Sequence, residues 1–425
     1  MPRCAARRSC NRRRDTGPAI HEDCCTLRKE RIRADFLAVG DTVPCDIYST
    51  DGRLLLSRGH VVESDGQLER LVSSGLYDPA ALDERGFVRA GRTARPVSEF
   101  SRLPSQLARD RVSIFGRLTQ VAGQLDALFA NAFSGTDFAE GMRSAASNVR
   151  ECCVLDGDAA LAQILLSDGL RYSIRHPTNV AVLTTILCNR LHHDEARSAA
   201  ATGAALTMNM CFVALQETLA HQKEALTAEQ RAEVRKHPHA AAQALRDRGI
   251  ADPHWLQAVA QHHEARDGSG YPDGLKSESI SREAQIVALA DRYCALVSAR
   301  AYRPAFSPRR AIKELHDRAG LAIDPALIGT LISAIGIFPP GAYVRLSNGE
   351  TGVVVRRLHD PKHPVVYALH QDTTVPYDTP RKRLTASHRD FEIAADVRPE
   401  AVRVKIDPEL LWPPSATGDA LKPAP

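Results

Sequence analysis

The sequence predicts a mainly α protein: a helical domain flanked by a small N-terminal β/α unit and a small C-terminal β-rich cap. Three observations predict it. Residues 137–335 are dominated by Ala, Leu and Arg, carry no alternating strand pattern, and break at Gly157, Gly169, Gly249 and Gly320. Near the N-terminus, two apolar runs (Val43 to Tyr48 and Leu54 to Leu56) flank Thr50-Asp51-Gly52-Arg53, an Asp-Gly hairpin signal. After Pro339-Pro340, Tyr343 to Leu346 and Val353 to Val355 flank Ser347-Asn348-Gly349-Glu350, an Asn-Gly hairpin.

Residues 1–33 read as a basic tail with ten Lys/Arg against four Asp/Glu, so the remainder sums to −2 within a total net charge of +4. The run Arg12-Arg13-Arg14 suits a solvated extension, a nucleic acid or an acidic membrane surface. The near-neutral body argues against specific DNA binding. Residues 34–77 form the β/α unit, closed by a helix that Ser64 caps and whose face carries Leu68, Leu71 and Val72. Sensing, docking and plain structural support all fit it. Residues 78–104 read as a linker.

Residues 105–154 read as a helical connector. Leu107, Ile114, Leu118, Val121, Leu125 and Leu128 are spaced by seven, four, three, four and three, which is heptad spacing. It fits a coiled-coil homodimer seam, a signalling helix, or one long helix packed on its own domain. Residues 155–338 are the main helical domain, 339–390 the cap with a further strand from Val365 to Leu369, and 391–425 a C-terminal tail.

At 425 residues, with 44% hydrophobic and 25% charged residues, the composition is globular and excludes wholesale disorder. The longest uncharged apolar stretch, about Ala326 to Phe338, is too short to span a bilayer. Ten cysteines occur without C-x-x-C spacing, two pairs of them adjacent (Cys24-Cys25 and Cys152-Cys153), which fits reduced thiols and a cytoplasmic location.

Histidine carries the functional signal. Nine of the sixteen lie between His176 and His263. Neutral imidazole is the commonest metal ligand, so a helical core with this concentration points to a metal site. One stretch stands out: Gln261-His262-His263-Glu264-Ala265-Arg266-Asp267-Gly268-Ser269-Gly270-Tyr271-Pro272-Asp273-Gly274-Leu275. Paired histidines at a helix end can face one metal cluster, and a Gly-rich loop lets backbone approach a ligand and present N–H groups to phosphate.

This stretch resembles the signature of the HD-GYP family, the cyclic di-GMP phosphodiesterase branch of the HD phosphohydrolases. Tyr172-Ser173-Ile174-Arg175-His176 resembles the helix of the first family histidine, and Lys236-His237-Pro238 the segment of a middle one. Ile286 to Asp291 is similar to the helix with the distal Asp, Ser298 to Arg303 to the segment after it, and Ala319-Gly320 to Asp324-Pro325 to the closing one. The resemblance covers about residues 155–338. It implies metal ligands at His176, His237, His262, His263 and Asp291, and a divalent metal (iron, manganese or zinc) that activates water and clamps a phosphodiester. It implies cyclic di-GMP or a related dinucleotide as ligand, with Gly270, Tyr271, Pro272, Arg266, Arg300 and Arg303 as the binding residues.

The sequence departs from the family at its name-giving doublet. Ala204-Ala205-Leu206-Thr207-Met208-Asn209-Met210-Cys211-Phe212 places Met208 where the His belongs, Asn209 where the bridging Asp belongs, and Phe212 where a Lys belongs. Asn is a neutral donor, a thioether is too soft for iron or manganese, and Phe212 removes a cation. A His-Asp dipeptide at His193-Asp194 falls fifteen residues too early, in a helix–helix turn. Tyr172 replaces a Glu of trinuclear members, and Glu217 is the neighbouring carboxylate that can stand in for the lost Asp.

The sequence therefore reads as an HD-GYP signalling protein with impaired catalysis and reduced metal occupancy, acting through nucleotide or partner binding, a diguanylate cyclase domain being the candidate partner. The alternatives are an active phosphodiesterase with an unusual metal set and a protein–protein scaffold.

Overall fold

The computed structural model describes residues 30–32, 37, 41, 43, 45–50, 54–58, 60–62, 64–77, 111–130, 137–167, 169–318, 322–371, 376–402, 404 and 406–416. The Arg-rich run, the Asp-Gly turn, the linker, Leu107 and Gly320 lie outside the described residues. The chain divides into two units, Met1–Ala94 and Arg95–Pro425.

In the first unit, β1 (Glu30–Arg31), β2 (Ile47–Tyr48), β3 (Leu54–Leu56) and β4 (Leu76–Tyr77) form an antiparallel sheet in the order β1-β4-β2-β3. α1 (Asp65–Ser74) precedes β4 and starts where the sequence places it, because the Ser64 hydroxyl accepts a hydrogen bond from the Gln67 N–H at 3.3 Å. Ile32, Leu37, Val43, Cys45, Ile47, Val62, Leu71 and Tyr77 make its core.

The second unit opens with β5 (Arg111–Val112) and α2 (Ile114–Ala130), followed by α3 (Phe138–Leu155), α4 (Gly157–Leu166), α5 (Tyr172–Arg190) and α6 (Glu195–Thr207). It continues with α7 (Val213–His221), α8 (Ala228–Asp247), α9 (Pro253–Gln261), α10 (Arg282–Val297), α11 (Pro308–Asp317) and α12 (Pro325–Ile335). α5 lies at the centre, packed on α3, α6 and α10, and is buried along most of its length. Helix starts follow the capping residues. Asp156 accepts from Asp158 N–H and Ala159 N–H at 3.1 and 2.9 Å, and Thr227 and Gln230 form a reciprocal capping box on α8.

The heptad face of α2 is used inside the chain. Ile114, Leu118, Val121 and Leu125 are buried in the main core, and α2 packs on α3, α4 and α5. The homodimer seam offered by that spacing is thus covered by the chain's own helices.

The cap is a five-stranded antiparallel sheet of β6 (Tyr343–Leu346), β7 (Thr351–Arg356), β8 (Val365–His370), β9 (Pro376–Leu384) and β10 (Ile393–Asp396), in the order β10-β6-β7-β8-β9. Tyr343 pairs with Val353 across the predicted Asn-Gly hairpin, and Gly349 supplies its turn with φ +89°. The sheet runs further than the sequence shows. β9 is an edge strand rich in Pro, Arg and Lys, without apolar alternation, and its pairing with β8 makes it a strand.

Residues 391–425, expected as a tail, supply β10, α13 (Pro408–Leu411) and β11 (Ser415–Ala416). β11 pairs with β5. Trp412 is buried, donates its indole N–H to the Val355 carbonyl at 3.0 Å and packs on Phe115 at 5.6 Å. Arg356 binds Asp156 at 2.5 and 2.7 Å and Arg357 binds Asp158 at 2.5 Å, which fastens β7 to the start of α4. Cap and helical domain therefore share one core, in which Val353, Val355 and Leu369 join the helices. No described helix is long and apolar enough to cross a membrane.

Candidate metal and ligand site

Two His-Pro dipeptides lie inside helices, His176-Pro177 in α5 and His237-Pro238 in α8. Proline has no N–H, so Pro238 leaves the carbonyl of Val234, four residues earlier, without its helical donor. The His237 Nδ1–H fills that vacancy, donating to Val234 O at 2.6 Å. At the end of α9 the last carbonyls are orphaned by the helix terminus, and His262 Nδ1–H donates to Val259 O at 2.7 Å. Both rings are thus held with Nδ1 protonated and Nε2 bare.

The two bare nitrogens face each other. His237 Nε2 and His262 Nε2 are 3.1 Å apart, both rings are buried, and neither nitrogen carries a proton to share. His263 completes the group: donor atoms of His237, His262 and His263 all lie within 4.8 Å of one another. Burial pushes the His237 imidazole down to about 3, with His262 adding to the effect, and burial likewise lowers His262 and His263. Three neutral imidazoles converging on one point fit a divalent cation. Two nitrogens on one tetrahedral ion lie about 3.3 Å apart, close to the spacing observed.

A second pair of expected ligands adjoins them. His176 Nε2 lies 2.7 Å from Asp291 Oδ1, and the Tyr172 hydroxyl lies 3.2 Å from His176 Nδ1. Burial raises the Asp291 carboxyl, but the His176 hydrogen bond and the surrounding histidines outweigh it and hold the group well below the usual carboxylate range.

A cavity of about 340 Å³ opens onto this group. Its walls include His176, His237, His263, Asp291, Asn209 and Tyr271. Of the residues at the doublet position, Asn209 lines the cavity, while Met208 is fully buried in the apolar core and does not. Phe212 lines the cavity and stacks flat on His237, 4.9 Å between centroids. Glu217 does not replace the missing carboxylate: it accepts from the Ser173 N–H at 2.9 Å in the first turn of α5. Asp194 caps α6 through the Arg197 N–H at 2.9 Å, so the early His-Asp dipeptide is part of a helix–helix turn.

The Gly-rich loop is built for packing as much as for a ligand. The buried Glu264 carboxylate accepts from the Asp273 and Leu275 N–H groups at 2.7 and 2.9 Å and so gathers the loop around itself. Gly270 lies directly on the backbone, since a Cβ there would sit 2.3 Å from Ala265 N. Tyr271 joins Pro272 through a cis peptide bond, packs on His263 at 4.7 Å and lines the cavity. Pro272 does not line it.

The three expected arginines separate. Arg300 lines the cavity, with its guanidinium donating to the Tyr172 hydroxyl at 2.5 Å and the Tyr302 hydroxyl at 3.1 Å. Arg303 is spent on the carbonyls of Ala295, Leu296 and Pro304 and on the face of Phe306. Arg266 pairs with Asp324 at 3.3 Å. Neither Arg303 nor Arg266 lines the cavity. Arg292 and Tyr302 do, although neither is among the expected binding residues. The signal for Arg292 was its place directly after Asp291.

The HD domain family model matches residues 161–327, which span α5 to α10 and every histidine of this group. The chain is 30% identical over 223 residues to the cyclic di-GMP phosphodiesterase PA4108 of Pseudomonas aeruginosa, covering 52% of this chain and 54% of that protein. It is 29% identical over 184 residues to the cyclic di-GMP phosphodiesterase PdeB of Borreliella burgdorferi, covering 43% of this chain and 48% of that protein.

These matches support a place in the HD-GYP family.

The HD-GYP match spans about half the length of these curated relatives. Among solved structures, Bd1817, a HDG"Y"P protein from Bdellovibrio bacteriovorus, aligns with 71% of this chain and 98% of its own at 18% identity and a TM-score of 0.46.

Proposed function

We propose that this HD-GYP chain is a cyclic di-GMP signalling protein that binds the dinucleotide over a single divalent cation and hydrolyses it slowly or not at all. The observation that carries this reading is an intact three-histidine group, two of whose members line a cavity together with the neutral Asn209. His237, His262 and His263 would hold the cation, iron, manganese or zinc, with Asp291 as the adjoining carboxylate. When bound, such an ion supplies Lewis-acid stabilisation to a phosphodiester oxygen.

The chain's own residues supply the rest. Val234 O and Val259 O fix the tautomers that present Nε2 of His237 and His262. Tyr271, held by its N–H bond to His263 O at 3.2 Å, offers a ring face to a base. Phe212 and Leu226 keep part of the wall apolar and limit water. What the site lacks is the bridging carboxylate, because the neutral Asn209 cannot balance two cations. The relatives' printed names, cyclic di-GMP phosphodiesterase, support the choice of ligand.

The test is metal content by elemental analysis, then calorimetry with cyclic di-GMP, then a hydrolysis assay. About one equivalent of metal, measurable binding and slow turnover are expected. Two equivalents with rapid hydrolysis would make the chain a working phosphodiesterase instead. Absence of both metal and nucleotide binding would leave a scaffold.

A further inference from the structure

Two arginines line the cavity, Arg292 and Arg300. They differ in what their guanidiniums already bind. Arg300 is engaged by the hydroxyls of Tyr172 and Tyr302 and lies 5.0 Å over the Tyr172 ring. Arg292, half-buried beside Asp291, makes no hydrogen bond or ion pair with any described residue. A partly desolvated guanidinium with five idle donors is costly to keep, and such groups are retained where an anion completes them.

The position of the idle group matters. Arg292 shares the cavity wall with Asn209, His176, His237 and His263, the residues that surround the proposed cation. Phe212 leaves that wall without a lysine. Asp291 and Asp267 attract the Arg292 guanidinium, and Arg318 repels it. A phosphate in the cavity would accept paired hydrogen bonds from the Arg292 guanidinium through two of its oxygens.

We infer that Arg292 is the phosphate-binding cation of this cavity, in place of the absent lysine, while Arg300 is a positioning residue that holds Tyr302 at the mouth. The inference deepens the proposed function and rests on the same cavity. It names the shared ligand chemistry as a phosphate or phosphodiester anion.

The experiment compares wild type, Arg292→Gln and Arg292→Lys, each loaded with metal, by calorimetry with cyclic di-GMP and separately with inorganic phosphate. Metal content and melting temperature are measured on the same samples. Arg292→Gln should lose at least about tenfold in affinity for both probes, and Arg292→Lys should lose less. Metal content should hold, and the melting temperature should hold or rise, because an unpartnered charge is removed. Equal affinity of Arg292→Gln and wild type would overturn the inference, as would a loss of metal that accounts for the loss of binding. Binding of inorganic phosphate through Arg292 without binding of cyclic di-GMP would support the inference and sink the dinucleotide reading. Wild-type protein that holds its metal but binds neither probe would overturn the inference and the dinucleotide reading together, whereas equal affinity of Arg292→Gln and wild type overturns the inference alone.

Discussion

The ring of Phe212 lies parallel to the imidazole of His237, 4.9 Å between centroids and 16° between planes. The family places a cation at this position, and here an apolar ring covers one face of a metal-ligand candidate. The stack helps to fix the orientation of His237, which its Nδ1 bond to Val234 already sets. Beside the imidazole group the cavity wall is apolar at Phe212.

Asn209→Asp tests the lost carboxylate directly. The two side chains are isosteric, so the cavity shape is retained while one negative charge is added. Metal content should rise from about one equivalent toward two, and hydrolysis of cyclic di-GMP should rise roughly tenfold or more. Unchanged content and rate would show that Asn209 does not limit this site.

Acid should unfold the metal-free protein early. His237, His262 and His263 all have lowered pKa values in the folded state, His237 to about 3. Unfolded imidazole titrates near about 6.5. The unfolded chain therefore binds more protons between these values, and stability present above about pH 6.5 is lost as pH falls, at up to about 1.4 kcal/mol per pH unit per histidine. The lowered Asp291 carboxyl acts in the same direction, but only below about pH 4. Melting temperature in chelator from pH 8 to pH 5 checks this, and a flat profile would contradict the burial of neutral imidazoles.

Gly270→Ala should damage the loop rather than the helices. Its Cβ would lie 2.3 Å from Ala265 N and 2.5 Å from Glu264 Cα, both backbone atoms that cannot rotate away. A loss of about 1–3 kcal/mol in stability is expected, together with weaker metal binding as His263 shifts with Tyr271. Thermal melting and elemental analysis on one preparation would separate a local change from global unfolding.

Much of this was legible in the sequence, for stated reasons. The helical period, the Ser64 cap and the Asn-Gly hairpin are local signals, and the structure keeps them. The His262-His263 pair and the segments ending in His176 and carrying His237 converge around one site. Arg266 and Arg303 were read as ligand-facing because nothing in a sequence distinguishes an arginine aimed at a phosphate from one bound to carbonyls or to Asp324. Arg292 was missed for the converse reason, since an idle guanidinium leaves no pattern. β9 and β10 were missed because their stability comes from pairing with β8 and β6, which lie elsewhere in the chain.

Trp412→Ala should cost about 3–5 kcal/mol, the range for truncating a large buried aromatic. The variant loses the Phe115 contact and leaves Val355 O without its indole donor. Denaturant unfolding measures the loss, and a change within about 0.5 kcal/mol would mean that the C-terminal segment does not contribute to the core.

The pairing of β5 with β11 and the packing of Phe115 on Trp412 bring together residues separated by nearly the whole second unit. A ribosome releases Phe115 long before Trp412. Until the last stretch emerges, α2 lacks one of its partners and the apolar surface around Val355 stays uncovered. The candidate metal ligands, all before residue 292, are by then already synthesised. The core around α2 is therefore closed only by a segment made near the end of synthesis, so completion of this fold is tied to the last part of translation.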